Sequence, residues 1–168
     1  MMNCNAISPI AIVKAFLPQM IKRKSGQIVN ILSLSAVFPT PVRTLYCASK
    51  YALDGFGKSL RAEAAQYNVQ VTHVYPAYVQ TNMSMNAMTG SGHAFGKLDE
   101  NIKKGMPVHK AGSLIIKATY LQERELYLCG AFYKLVTILS AISGNITYLA
   151  CLNKYKDQVR VKEAAIKA

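Results

Sequence analysis

The sequence has 168 residues, of which 51% are hydrophobic and only 17% charged, a composition typical of packed proteins that excludes global disorder. Twenty lysines and arginines against 8 aspartates and glutamates give a formal net charge of +12, so nucleic acid or an anionic membrane surface has to be considered as a partner. The basic residues are scattered, with no aromatic residues between them at a repeated spacing, which argues against nucleic acid and favours a solvated basic face.

The first half of the chain is predicted to alternate helix, strand and helix. Residues 7–24 carry apolar side chains at helical spacing, with a bend or offset expected at Pro18. A β-branched run at residues 27–32 indicates the first strand, and a turn-rich loop follows it. Residues 44–67 then repeat apolar side chains at a period near 3.6, which predicts a long helix.

The pattern continues with two more strands. Residues 69–75 read as the second strand, ended by Pro76, and residues 125–129 read as the third. The polar segment at 81–107 suggests a mobile cover over a site, and residues 111–123 suggest another helix. Strands separated by helices predict an α/β fold with a parallel sheet, and three strands make about half of a doubly wound sheet.

Polar side chains follow the predicted strands, where ligands bind in open α/β sheets. Ser33 comes directly after the first strand, while Tyr46 and Lys50 lie four residues apart on one face of the long helix. A free tyrosine has a pKa of about 10, but a nearby ammonium favours the phenolate and so makes proton transfer at neutral pH easier. An isolated pair of this kind more often means packing with a solvated charge, so the pair alone is weak evidence.

The combination of these residues resembles the short-chain dehydrogenase/reductase family. Ser33 precedes Tyr46 by thirteen positions, Asn5 precedes Leu17 by twelve, and the tyrosine and lysine belong to the sequence Tyr-Cys-Ala-Ser-Lys. The resemblance covers about residues 2–130. It implies the C-terminal, catalytic part of a Rossmann-like doubly wound parallel sheet, in a nicotinamide-dependent oxidoreductase that interconverts a carbonyl and an alcohol.

The resemblance also implies roles for individual side chains. Tyr46 is expected to be the general acid and base, and Ser33 to orient the substrate oxygen. Lys50 is expected to favour the phenolate of Tyr46 and to bind the nicotinamide ribose, with Asn5 positioning Lys50 through a water molecule. No metal is expected, because the cysteines and histidines show no metal-ligand spacing.

A second group of matching residues is expected to contact the nicotinamide of NADP or NAD: Pro76, Val79 and Thr81. Here Ala77 replaces the glycine of the family, and its methyl group could crowd the cofactor or change the turn. The Gly-rich turn that receives the pyrophosphate does not occur in the sequence, since the glycines at 90–96 follow no strand. The N-terminal, cofactor-binding half of the family fold is therefore expected to be missing.

The last part of the chain differs in composition. Nineteen uncharged residues, 135–153, lie between Lys134 and Lys154, and Gly144 with Asn145 should form a turn that splits them into two short apolar helices. This predicts an interfacial membrane anchor with a basic tail rather than a membrane span. A substrate-site or oligomer-interface helix is an equal alternative. The expected division is a truncated Rossmann domain at 1–130 and a helical extension at 131–168.

Two functions remain open from the sequence. The first is an NADP- or NAD-dependent oxidoreductase acting on a lipophilic carbonyl or alcohol. Its resemblance to the dehydrogenase/reductase member seven-like subgroup implies association with the endoplasmic reticulum membrane, with a cytoplasmic location as the alternative. The second is a non-catalytic remnant that serves as a structural or interaction subunit. In either case an exposed sheet edge should be covered in a homo-oligomer or by a partner chain.

Overall fold

The computed structural model describes residues 1–83, 96 and 100–167. All three predicted strands and the predicted helices are present, with ends that differ by a few residues. Most of the polar segment predicted to be mobile, and all of the glycine-rich stretch except Gly96, lie outside the described residues. The helices are α1 (Ser8–Lys22), α2 (Thr44–Ala64), α3 (Glu100–Lys103), α4 (Val108–Tyr120), α5 (Ala131–Ile142) and α6 (Gly144–Lys167), and the strands are β1 (Gly26–Ile31), β2 (Val69–Pro76) and β3 (Glu125–Leu128).

The three strands form one parallel sheet in the order β1-β2-β3. Strand β2 lies in the centre, with Val69 opposite Gly26 on one side and Pro76 opposite Leu128 on the other. The predicted α/β class with part of a doubly wound sheet is confirmed. Within the described residues β1 is paired on one side only, and Ile31 at its end is 48% exposed.

Helices cover both faces of the sheet, as expected for parallel strands that are buried on both sides. Helices α1 and α2 pack on one face around a core that includes Ile28, Leu60 and Val71. Helix α4 packs on the other face, where Val74 and Leu128 are buried. Since side chains alternate along a strand, neighbouring residues of β2 contribute to opposite cores.

A buried polar network joins α2 to the sheet. Asp54 of α2 accepts hydrogen bonds from Tyr75 (2.7 Å) and Lys58 (2.8 Å), and its other contact is His73 Nδ1 at 3.1 Å. Asn30 of β1 lies 3.3 Å from His73 Nε2. The side chains of His73 and Tyr75 are completely buried, so this network satisfies polar groups that would otherwise cost stability.

Helix α1 continues through Pro18 and is preceded by a π-helical turn, Asn3–Ile7. Together they form a stretch, Asn3–Lys22, of mean hydropathy 1.3, which among the described helices is long and apolar enough to cross a membrane. The core helix of a soluble protein and a signal sequence meet the same criterion, so the stretch is weak evidence for membrane association. Val13, Leu17 and Met20 pack against the core next to α2, and Ile12 and Phe16 are exposed.

The C-terminal segment forms two helices, as predicted, but α6 is not a short apolar helix: it has 24 residues, begins at Gly144 and includes the basic tail. Ser143 has extended backbone angles and separates α5 from α6. Helix α5 is apolar but too short to span a bilayer, and Phe132 and Ile142 on it are 71% and 78% exposed. The division of the chain into domains at residue 130 stays a prediction.

Candidate active site

A cavity of about 440 Å³ opens at the carboxyl ends of the strands, the position expected for a ligand in an open α/β sheet. The loop after β1, the start of α2, the segment after β2 and the helices α4, α5 and α6 all contribute to its wall. Six of the predicted site residues line it: Ser33, Tyr46, Lys50, Pro76, Val79 and Thr81. Asn5 is not part of the lining.

Tyr46 and Lys50 project into the cavity from adjacent turns of α2. The Lys50 Nζ lies 5.9 Å from the centre of the Tyr46 ring and donates a hydrogen bond to the Ile31 carbonyl at 3.0 Å. Burial lowers the pKa of Lys50, because a desolvated ammonium is less stable than a hydrated one. The predicted closeness of the tyrosine and the lysine is therefore present, with the ammonium held near the end of β1.

Ser33 is placed by the turn that follows β1. It begins the short 3₁₀ turn Leu34–Ala36, and its Oγ accepts a hydrogen bond from the Ser35 amide at 3.2 Å. Serine favours this position because its hydroxyl satisfies an amide at the start of a helical turn. The turn holds the Ser33 hydroxyl at the cavity wall, where its proton stays available to an acceptor.

Asn5 contacts α2 in a way that the sequence does not predict. Its Nδ2 donates to Ser49 Oγ at 3.1 Å, and Ser49 Oγ donates to the Tyr46 carbonyl at 2.7 Å. Ser49 is fully buried. Asn5 therefore fastens the N-terminal turn to the part of α2 between Tyr46 and Lys50. The predicted water-mediated contact with Lys50 stays a prediction.

The segment after β2 is held in place by backbone contacts. The Ala77 amide donates to the Leu128 carbonyl at 3.0 Å, and the Met106 amide donates to the Tyr78 carbonyl at 2.8 Å. Val79 pairs with Met106 as an isolated parallel bridge. Ala77 is not among the residues with left-handed backbone angles, so its methyl group causes no strain in the turn.

Several lining residues are not identified by sequence reasoning. Arg43, Lys154 and Tyr133 line the cavity. Among the described residues its charged lining side chains are Arg43, Lys50 and Lys154, all of them basic. The uncharged stretch that ends at Lys154 marks α5 and α6 as unusual, but nothing in the sequence shows where these helices pack. The rest of the lining is largely apolar, with Phe38, Val108, Ile115, Leu128 and Val136 among its members.

Comparison with known proteins identifies the class to which the chain belongs. A family model described as short chain dehydrogenase matches residues 1–91, so the chain is a member of the short-chain dehydrogenase family. The relatives include Dehydrogenase/reductase SDR family member 7B of Xenopus tropicalis, 33% identical over 97% of this chain and 53% of that protein. Dehydrogenase/reductase SDR family protein 7-like of Drosophila melanogaster is 40% identical over 88% of this chain and 45% of that protein. The similarity to the member seven-like subgroup is thus confirmed, and the chain spans about half the length of the curated relatives it matches.

Solved structures share the fold. A short chain dehydrogenase from Burkholderia cenocepacia J2315, in complex with NADP, aligns over 90% of this chain and 57% of its own, with a TM-score of 0.70 and 24% identity. A short-chain dehydrogenase from Streptomyces avermitilis aligns over 99% of this chain and 59% of its own, with a TM-score of 0.63 and 22% identity. These alignments support a Rossmann-type fold.

Proposed function

We propose that this chain carries the catalytic residues of an NADP- or NAD-dependent oxidoreductase that interconverts a carbonyl and an alcohol. The observation that carries the proposal is the placement of Ser33, Tyr46 and Lys50 around one cavity at the carboxyl ends of the strands. Membership of the short-chain dehydrogenase family supports the same reaction class. Because the chain spans only part of the length of its relatives, the oxidoreductase activity is itself proposed.

In this proposal Tyr46 moves the proton. Its hydroxyl gives a proton to a carbonyl oxygen during reduction and removes one from an alcohol during oxidation. The Ser33 hydroxyl donates a hydrogen bond to the same oxygen and stabilises the negative charge that develops there. The Lys50 ammonium favours the phenolate of Tyr46, and Asn5 positions this part of α2 through Ser49.

The cavity suits the nicotinamide end of the cofactor. Lys50 supplies an ammonium for the ribose hydroxyls, and Pro76, Val79 and Thr81 form a wall for the nicotinamide ring. The bound nicotinamide supplies or accepts the hydride. The sequence holds no Gly-rich turn after a strand for the pyrophosphate, so the contacts that we propose are limited to the nicotinamide end of the cofactor.

The substrate is proposed to be lipophilic. Its reacting oxygen would lie near Ser33 and Tyr46, while its body would contact the apolar side chains of the cavity. A largely apolar lining with a few polar groups is the usual composition of a small-molecule site. We expect aldehydes and ketones with apolar substituents to be better substrates than short polar carbonyl compounds.

The test uses the 168-residue chain with NADPH and two probe substrates, a medium-chain aldehyde and acetophenone. NADPH is raised to millimolar concentration so that weak binding does not limit the rate, and its oxidation is followed by absorbance. Tyr46→Phe should lower turnover by a factor of about 10² to 10⁴, because it removes the acid and base. Tyr51→Phe is the matched control, since Tyr51 lies on the same helix outside the cavity lining.

Turnover that Tyr46→Phe removes and Tyr51→Phe retains supports the proposal. Equal turnover in both variants overturns the assignment of Tyr46, and binding of NADPH without any turnover in the unmodified chain favours a non-catalytic role. The alternative is a non-catalytic subunit, and the exposed end of β1 is the observation that favours it. That alternative predicts association through the sheet edge without turnover.

We also propose that α5 and α6 contact a membrane surface. The exposed residues Phe132, Leu135, Ile138 and Ile142 recur every three or four positions and so form one apolar face of α5. No aspartate or glutamate occurs between residues 126 and 156, where Lys134, Lys154 and Lys156 are found. An apolar face with basic neighbours is typical of helices that lie in the interface of an anionic bilayer.

Flotation with phosphatidylcholine vesicles, with and without phosphatidylserine, tests the membrane proposal. The double variant Phe132→Ser/Ile142→Ser should lose flotation with the anionic vesicles. The control Ile12→Ser/Phe16→Ser changes two exposed apolar residues of α1 and should float like the unmodified chain. If only the α1 variant loses flotation, the N-terminal helix is the membrane contact and the proposal is wrong. Imaging of the protein in cells tests the proposed location at the endoplasmic reticulum.

A further inference from the structure

Two cysteines from different helices meet at one short segment of the chain. Cys47 of α2 is buried, and its Sγ accepts a hydrogen bond from the Thr40 amide at 3.3 Å and donates to the Thr40 carbonyl at 3.6 Å. The Cys151 thiol of α6 donates to the Pro39 carbonyl at 3.2 Å. The two thiols thus bind the carbonyl groups of two consecutive residues, although 104 positions separate the cysteines in the sequence (151 minus 47).

The same two cysteines share an open cavity next to the candidate active site. Both line it together with Pro39, Thr40 and Tyr148. Burial raises the pKa of Cys151, the charge of Lys154 opposes this, and the charge of Cys47 raises it further. The geometric evidence that the two thiols meet is their hydrogen bonding to the adjacent carbonyls of Pro39 and Thr40 and their place in one cavity wall.

We propose that Cys47 and Cys151 are a reversible disulfide pair. The oxidant is a small disulfide, represented by oxidised glutathione. The other two cysteines are unsuited to the role: Cys4 is exposed on the N-terminal turn, and Cys129 follows β3 outside both cavity linings. All four cysteines are free thiols in the structure.

The reaction proceeds by thiol and disulfide exchange. The more accessible Cys151 attacks one sulfur of oxidised glutathione as a thiolate, so that a mixed disulfide forms and one glutathione thiolate leaves. The Cys47 thiolate then attacks Sγ of Cys151, the intramolecular bond forms, and the second glutathione thiolate leaves. Two electrons pass from the protein to glutathione, and the two protons lost by the cysteines are taken up by the two glutathione thiolates.

The bridge would fix α6 against the beginning of α2. Cys47 directly follows Tyr46, and Lys154 lies three residues beyond Cys151 in the wall of the larger cavity. Thr40 lines both cavities, so the bond would also restrain the segment between them. Oxidation should therefore make one wall of the candidate active site rigid. Formation of the disulfide does not depend on the proposed function. The effect of the disulfide on turnover rests on the proposed function.

The position of the tryptic sites makes the test direct. Cleavage after lysine and arginine places Cys47 in the peptide 44–50 and Cys151 in the peptide 135–154, while Cys4 and Cys129 fall in two further peptides. The reduced chain is incubated with an excess of oxidised glutathione, remaining thiols are alkylated, and the digest is analysed without reduction. The expected product is peptide 44–50 joined to peptide 135–154, with a loss of two hydrogens from their summed mass.

Matched variants and an isotope mixture complete the experiment. Cys129→Ser should keep the linked product and Cys151→Ser should lose it, while circular dichroism checks that both variants are folded. A mixture of ¹⁵N-labelled and unlabelled chains should give no linked product of mixed label, because the bond forms within one chain. Separate glutathione adducts on the two peptides, a link to Cys4 or Cys129, or mixed-label products would each overturn the proposal.

Discussion

Two glycines of α2 provide a test of the packing between this helix and the sheet. A Cβ added at Gly57 would lie 2.1 Å from His73 Nε2 and 2.6 Å from Asn30 Nδ2. A Cβ added at Gly55 would meet nothing within 4 Å. Both positions are inside the same helix, so the general effect of replacing glycine by alanine is the same at both, and only the packing differs.

The expected magnitudes follow from these distances. Alanine stabilises a helix interior by about 0.5–1 kcal/mol relative to glycine, which is the whole effect expected for Gly55→Ala. At position 57 the new methyl group overpacks a buried site, at a cost of about 1–3 kcal/mol. It also displaces Asn30 or His73 from their contact, and a buried polar group without its partner costs about another 1–3 kcal/mol. The net effect of Gly57→Ala is a loss of about 1–5 kcal/mol in the free energy of unfolding.

The two variants should therefore differ from the unmodified chain in opposite directions. For a chain of this size 1 kcal/mol corresponds to a change in Tm of about 2–4 °C. Urea and thermal unfolding followed by circular dichroism, at one protein concentration, should show a higher midpoint for Gly55→Ala and a lower one for Gly57→Ala. If Gly57→Ala is as stable as Gly55→Ala, the close approach of α2 to the sheet is wrong.

Three further results are expected. Tyr75→Phe removes a buried hydrogen bond to the Asp54 carboxylate and should cost about 1.5–3 kcal/mol by urea unfolding, more than the partly exposed Tyr127→Phe. Burial alone would raise the pKa of Asp54, but the hydrogen bonds from the network outweigh burial and lower the pKa. The ionised Asp54 carboxylate therefore contributes its full stabilisation above about pH 4, and this stabilisation is lost as the pH falls through the lowered pKa. Asp54→Asn should flatten this acid dependence, and an unchanged midpoint on acidification of the unmodified chain would contradict it. The edge of β1 should cause self-association, so sedimentation should show species larger than a monomer, and Ile31→Lys should reduce them.

The sequence is sufficient to predict the layout of the fold and the meeting of Ser33, Tyr46 and Lys50 at one place. Helix and strand periodicity places the elements, and the rule that ligands bind at the carboxyl ends of parallel strands brings Ser33 to the same cavity as Tyr46 and Lys50. The packing of α5 and α6 was not predictable, because an apolar helix can bury its face against many surfaces. The uncharged stretch indicated two helices but gave no information on which residues would reach the cavity.

The buried network was not predicted, for a different reason. An aspartate on a helix with a lysine four residues later is typical of a solvated ion pair, and Asp54 with Lys58 follows this pattern. The available signal lies in β2, where His73 and Tyr75 are two residues apart and so occupy one face of the strand. Gly57 adds to it, since a glycine three residues from an aspartate allows the helix to approach that face closely.

The network and the candidate site are connected through the geometry of α2. Tyr46, Lys50, Asp54 and Gly57 are spaced by four, four and three residues, so they lie along one stripe of the helix. Contacts of Asp54 and the close approach at Gly57 fix the rotation of α2 about its axis, because any rotation would separate the carboxylate from Tyr75 and His73. The rotation of α2 about its axis also decides whether Tyr46 and Lys50 face the cavity. The buried network therefore positions Tyr46 and Lys50 without contacting either of them.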